Sequence, residues 1–532
     1  MSHTIHPGRL LMVDIPGISL DSTTASFLRD NQIRAVCLFR KNLGSERQIQ
    51  QLTSDLRAAM GDHTLIAMDQ EGGSVARCLS LPQAPGAMAL GAVNDETLCE
   101  EVGAAVSRGL RHLGINWNFA PVIDVNNNPA NPVIAERSFG SDPRAVARLA
   151  GAWMRGAGRE GVACCVKHFP GHGDTHTDSH HALPVVDKSL EQLEALELLP
   201  FRLLADQAPS MMTAHIVYPQ IDPEHPATLS RKVLHGLLRE RIGYDGVVIT
   251  DALMMKAIHD RYGHALGAVM ALSAGADMPL AQGSLAEQQA ALDAIAQAQR
   301  DGVLDPALLE RAAQRLDAMA ERFPAVQIEL TAAQRAADEA LMLDGWARAL
   351  ASVGPARPPA RDQPLRVVTQ GQVSSDGVSE AGIPSAAVRV LFASFSDVEF
   401  VEVPNLSAIG PEVLQSADRQ VVLASNHRSR FAQTGALTAD LHLVLWNPFQ
   451  VLDVNAPALV PWGHANGALA AVRAWLEGRA SAPGVPPVAL AHPRSGVAAS
   501  HQGGKTSGPA EPLARSSLAA SQSHGVRSGD PA

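Results

Sequence analysis

The run GVVITD, residues 246–251, opens on a glycine, continues through Val247, Val248, Ile249 and Thr250, and ends on a carboxylate. It has no polar alternation, so it reads as a strand buried on both faces, as in a parallel sheet. Seven further runs share the pattern: RLLMVDI at 9–15, IRAVCLF at 33–39, TLIAMD at 64–69, INWNFAPVIDV at 115–125, GVACCVKHF at 161–169, APSMMTAHI at 208–216 and AGADMPL at 274–280. Stretches of helical length separate them. One is SLEQLEALELLPFRLLAD, where Ser189 and Gln192 have capping-box spacing. Eight runs alternating with helices predict an α/β fold, a (β/α)8 TIM-type barrel over residues 1–325. Asp69, Asp124, Lys167, His168, His215 and Asp251 fall at or near the C-terminal ends of the runs, where barrel enzymes assemble their sites.

The chain, at 532 residues, is too long for one core. After the barrel, residues 326–364 read as a helix, TAAQRAADEALMLDGWARAL, followed by a proline-rich linker, VGPARPPARDQP. A smaller α/β sandwich domain is expected over 365–490, with LRVV, VRVLFASF, RQVVLAS and HLVLW as its strand-like runs among a few helical stretches. The Ser, Gly, Pro and Ala content of 491–532 predicts a disordered tail.

A hydrophobic share of 46% with 18% charged residues describes a globular chain able to bury a core. The net charge of −11 argues against broad binding to nucleic acid or to an anionic membrane and favours a small or neutral partner. The five cysteines show no repeated spacing of a zinc or disulfide framework and read as free thiols. The opening MSHTIHPGRLLMVDIPG lacks a basic-then-apolar leader, and no run reaches membrane-spanning length, so a cytoplasmic protein is expected. The oligomeric state is not legible. The six tryptophans are scattered, with no local cluster suggesting an aromatic platform for a long polymer.

The densest chemistry lies in KHFPGHGDTHTDSHHALP, residues 167–184, which is either a metal site or a catalytic loop. His168, His172, His176 and His180 recur every four residues, so on a helix they would share a face and could bind zinc. Pro170, Gly171 and Gly173 argue against that helix, and no metal or cofactor is expected. Asp178 and His180 can converge in a turned loop. The carboxylate would then fix the imidazole's tautomer while the other ring nitrogen exchanges protons with a substrate. A solvated polar loop is the plain alternative. Asp251, at the end of a buried strand, is a nucleophile or an ion-paired structural carboxylate. Asp69, followed by Gly72 and Gly73, is either an acceptor for two sugar hydroxyls or a solvated turn residue.

Four blocks in order resemble glycoside hydrolase family three, and within it the bacterial β-N-acetylglucosaminidases: MDQEGGSVAR (68–77), NFAPVIDVNNNPANPVIAERSFGSDP (118–143), KHFPGHGDTHTDSHHALP (167–184) and VVITDALMM (247–255). The resemblance implies Asp251 as nucleophile, His180 as acid/base and Asp178 as its supporting carboxylate. It implies that Asp69, Arg77, Arg137, Lys167 and His168 hold the terminal N-acetylglucosamine. It further implies a retaining β-N-acetylglucosaminidase acting on muropeptide fragments, N-acetylglucosamine β-1,4-linked to anhydro-N-acetylmuramic acid, in cell-wall recycling. A neutral imidazole does not repel an anionic acceptor as a carboxylate would, so a phosphorylase using phosphate is an alternative; a zinc-dependent hydrolase using the histidine cluster is another. Residues 447–490 resemble, more weakly, the α/β layer of longer family members. That layer is expected to be structural, with a part in shaping the aglycone side.

Overall fold

The computed structural model describes residues 5–179, 183–375 and 377–490. Eight short strands carry the first half: β1 (Met12–Val13), β2 (Ala35–Cys37), β3 (Leu65–Met68), β4 (Trp117–Asn118), β5 (Ala163–Phe169), β6 (Ser210–Thr213), β7 (Val247–Ala252) and β8 (Met278–Ala281). Each pairs in parallel with its neighbours in sequence, and β8 closes on β1, so the sheet is a complete barrel. Six fall inside the apolar runs, and β7 and β8 overrun theirs by one residue each, Ala252 and Ala281. Closure removes both sheet edges, and the surrounding helices bury the outer face, which is why these strands need no polar side. Trp117, Trp153, Phe119, Phe169 and Phe201 are fully buried in this core.

Helices α1 (Glu96–His112) and α2 (Pro143–Arg159) pack as an antiparallel pair outside the barrel. Gly103 and Gly156 allow the approach, since a Cβ on either would lie about 2 Å from backbone of the facing helix. The stretch 189–206 opens with the expected capping box, Ser189 and Gln192 bonding each other's backbone N–H. It does not continue as one helix. It breaks at Leu196 and resumes as Leu198–Leu204, because Pro200 cannot donate to the Leu196 carbonyl and its ring clashes with it.

Helix α3 (Ala332–Ala349), capped by Thr331, leads into a six-stranded sheet. Its strands are β9 (Ala351–Val353), β10 (Leu365–Gln370), β11 (Val398–Val403), β12 (Gln420–Ser425), β13 (Leu441–Val444) and β14 (Ala458–Val460), in the order β9-β14-β13-β12-β10-β11. Only β9 runs antiparallel, and it lies within the stretch read as linker. The run VRVLFASF, expected as strand-like, instead enters a helix, Ser385–Leu391. Its apolar residues recur at Val388, Leu391, Phe392 and Phe395, one face of a helix, and all four are buried. The strand comes later, where Glu399 and Glu402 stand exposed on the edge strand β11. Trp346 of α3, Trp462 and Phe449 bury together with Met88 and Ala89, so barrel helices and the second sheet share one apolar cluster. No helix of the described residues is long and apolar enough to cross a membrane. Residues 491–532, expected as a disordered tail, lie outside the described residues.

Candidate active site

The C-terminal ends of the barrel strands surround a cavity of about 220 Å³. Asp69, Glu71, Arg77, Arg137, Lys167, His168, His172, Ser179 and Asp251 reach it, and Phe39, Phe119, Met212, Met255 and Leu280 form its apolar walls. Asp251 projects from the end of β7, with Oδ1 accepting the Ala252 N–H at 2.8 Å. His215, buried at the end of β6, lies 3.0 Å from the Ala252 carbonyl through Nε2 and 2.8 Å from Thr228 Oγ1 through Nδ1, steadying the turn after Asp251.

Opposite lies a charged lattice. Lys167 Nζ donates to Asp69 Oδ1 at 2.6 Å and meets Glu71 Oε1 at 2.8 Å. Arg137 forks onto both oxygens of Glu71 at 2.9 and 2.8 Å and donates to the Val133 carbonyl. Burial works against each charge, but the partners prevail: Lys167 and Arg137 are raised by the carboxylates, and Glu71 is held well below the usual carboxylate range by Arg137 and Lys167. Arg77 Nη2 stands 3.8 Å from Asp69 Oδ2, while its Nη1 donates to the Val378 carbonyl at 2.7 Å and to Glu380 at 3.2 Å. The lattice thus fixes acceptor oxygens and donor nitrogens before any ligand arrives, which suits recognition of a polyhydroxylated ring.

Asp124 organises the histidine segment. Its Oδ2 accepts from His168 Nδ1 at 2.7 Å, and its Oδ1 accepts the backbone N–H groups of His168 and His172 at 3.1 and 2.7 Å. Burial raises its pKa, yet His168 and these donors bring it down overall. His172 spans Thr175 Oγ1 at 2.8 Å and Ser179 Oγ at 3.1 Å. Burial, with His168 close by, pushes it down to about 4, so it stays neutral. It tethers the loop at Ser179, one residue from Asp178. Residues 171–179 form a loop and not a helix, so the fourfold histidine spacing does not make one face. Among the described residues, no three His, Cys, Asp or Glu side chains are grouped to hold a metal ion. The Cys37 thiol in the cavity wall is pushed up by burial and stays uncharged.

Residues 6–319, more than half the chain, match the Glycosyl hydrolase family 3 N terminal domain. The chain belongs to glycosyl hydrolase family 3. This family 3 chain is 39% identical over 294 residues to a beta-hexosaminidase of Chromobacterium violaceum, covering 54% of this chain and 82% of that one. It is 37% identical over 303 residues to a beta-hexosaminidase of Pseudomonas aeruginosa, covering 57% and 90%. A solved family 3 beta-N-acetylglucosaminidase from Paenibacillus sp. str. FPU-7 superposes with a TM-score of 0.81 at 31% identity, covering 92% of this chain and 99% of that one. The chain is a glycoside hydrolase.

Of the residues singled out from sequence, Asp251, Asp69, Arg77, Arg137, Lys167 and His168 converge on this cavity. Asp178 is half-buried in the loop beside Ser179, and His180 lies outside the described residues. Glu71, Ser179, Gly377 and Val378 were missed, His172 was weighed only as one of the possible zinc ligands, and Asp124 was noticed only as a residue near a strand end. Glu71 had a signal: in an extended chain its side chain shares a face with Asp69, two residues earlier. Val378 had none, because its contact with Val133 and Ile134 joins distant segments.

Proposed function

We propose that the chain is a retaining β-N-acetylglucosaminidase that removes terminal β-linked N-acetylglucosamine from muropeptide fragments in the cytoplasm. The observation that carries this reading is the cavity itself. Asp251 stands on one strand end, opposite the Asp69–Lys167–Glu71–Arg137 lattice, in a space below the roughly 300–1,000 Å³ of drug-sized pockets, room for about one sugar residue. Similarity to the beta-hexosaminidases and to the Paenibacillus beta-N-acetylglucosaminidase supports the N-acetylated sugar. The muropeptide aglycone rests on the resemblance of the histidine loop to that branch.

Asp251 attacks the anomeric carbon as the glycosidic C–O bond breaks, and the departing oxygen takes a proton from the His180 imidazolium. Water then attacks the glycosyl ester, giving its proton back to His180 as the bond to Asp251 breaks. Asp178 stabilises the imidazolium, while Asp124 and His172 hold the loop that carries the pair. Asp69, Lys167, Arg77, Arg137 and His168 fix the terminal ring.

Purified wild type and Asp251→Asn, assayed on chromogenic β-N-acetylglucosaminide and β-glucoside with and without chelator, test this reading. Cleavage of only the N-acetylated substrate, by wild type alone and indifferent to chelator, is expected. An active Asp251→Asn variant removes the nucleophile assignment. Loss of activity with chelator turns the histidine loop into a metal site. Products formed in phosphate buffer contain free N-acetylglucosamine; N-acetylglucosamine 1-phosphate as the main product would make the enzyme a phosphorylase. Turnover of N-acetylglucosaminyl-anhydro-N-acetylmuramic acid well above that of chitobiose is the result the muropeptide assignment requires.

A further inference from the structure

The second α/β layer reaches the sugar site. Gly377 and Val378, from the segment after β10, line the cavity, and Val378 buries against Val133 and Ile134 of the barrel. Glu380 docks the same segment onto the turn after β3: its N–H donates to the Ser74 carbonyl at 2.9 Å, and its carboxylate meets Arg77 Nη1 at 3.2 Å. Arg40, which donates to the Arg77 carbonyl at 2.9 Å, lies 4.0 Å from the other Glu380 oxygen.

Arg77 is 14% exposed, so its guanidinium needs a carboxylate. Among the described residues, two are paired with it. Glu380 holds Nη1 at bonding distance, and Asp69 Oδ2 stays 3.8 Å from Nη2. Among the described residues nothing bonds Asp69 Oδ2 more closely, whereas Oδ1 is taken by Lys167. The pull of Glu380 therefore keeps one Asp69 oxygen available to a ligand hydroxyl. Without that carboxylate, Arg77 closes on Asp69 and occupies the oxygen.

We propose that Glu380 is a positioning residue of the sugar site, drawing Arg77 away from Asp69 so that the terminal sugar can bind. The inference rests on Asp69 and Arg77 holding that sugar. It gives the second domain a role on the glycone side of the cavity, where sequence suggested the aglycone side.

The test compares wild type, Glu380→Gln, Arg77→Gln and the double variant. It reads kcat and KM on a chromogenic β-N-acetylglucosaminide, and Kd for N-acetylglucosamine by calorimetry. Glu380→Gln, isosteric and partly exposed, is expected to raise KM and Kd together by about tenfold with kcat within about twofold. In the Arg77→Gln background the same change adds less than about twofold, since its route runs through the guanidinium. Unchanged KM and Kd in Glu380→Gln, additive effects in the double variant, or a fall in kcat with Kd unchanged each overturn the inference alone. Wild-type protein that does not bind N-acetylglucosamine overturns the reading of the site and this inference with it.

Discussion

At the scale of single residues, the site is a set of charges that exist only because their partners do. Glu71 is buried between Arg137 and Lys167. Glu71→Ala leaves two buried cations short of a partner and is expected to destabilise the fold by about 3–5 kcal/mol, read as a lowered denaturant midpoint. An unchanged midpoint would mean that water already solvates the lattice. Asp251→Asn is nearly isosteric and keeps an oxygen to accept the Ala252 N–H, so the wild-type midpoint is retained while kcat falls by about a thousandfold or more. Asp69, Lys167, His168 and Asp251 were legible because a charge at the end of a buried strand is costly without a task. Glu71 was passed over although alternation along the chain places it beside Asp69. Val378 and Glu380 were beyond reach, because their contacts span some three hundred residues and leave no local pattern.

At the scale of elements, the histidine loop is held by close backbone approach. A Cβ on Gly173 would lie 1.7 Å from the Val125 carbonyl oxygen, so any side chain lifts the loop off the segment after β4. Gly173→Ala is expected to lower kcat by roughly a hundredfold through displacement of the Asp178 loop, with the far-ultraviolet circular dichroism of the barrel retained. Wild-type kcat in this variant would show that the loop's seat does not matter to the chemistry. Barrel strands read well from sequence because burial on both faces leaves one signal, the uninterrupted apolar run. The second layer read less well. In VRVLFASF the helical spacing of Val388, Leu391, Phe392 and Phe395 lies inside a run apolar enough to pass for a strand, and at 189–206 a sound capping box hid the break imposed by Pro200.

At the scale of the whole molecule, buried neutral histidines tie stability to pH. Burial pushes His172, His427 and His464 down to about 4 and His442 to about 3. His464 stacks on Trp446 at 4.6 Å, and His442 lies 2.7 Å from Ser425 Oγ. Unfolded, each takes up a proton near pH 6.5, so below that pH the unfolded chain binds more protons than the fold. Stability is therefore lost as pH falls from 6.5 toward about 4, each group contributing on the order of 3 kcal/mol across that window. The thermal midpoint should fall steeply between pH 6.5 and 4.5, and His442→Gln should flatten that slope. A midpoint level across the window would mean that these rings are protonated in the fold.

The proposed mechanism requires Asp251 to form a covalent bond to the sugar. Incubation with a 5-fluoro-N-acetylglucosaminyl fluoride, followed by proteolysis and mass spectrometry, tests it most directly. One added sugar is expected on the peptide carrying Asp251, absent from Asp251→Asn. An adduct on Asp69 or another carboxylate, or turnover with inverted product and no adduct at all, would contradict it.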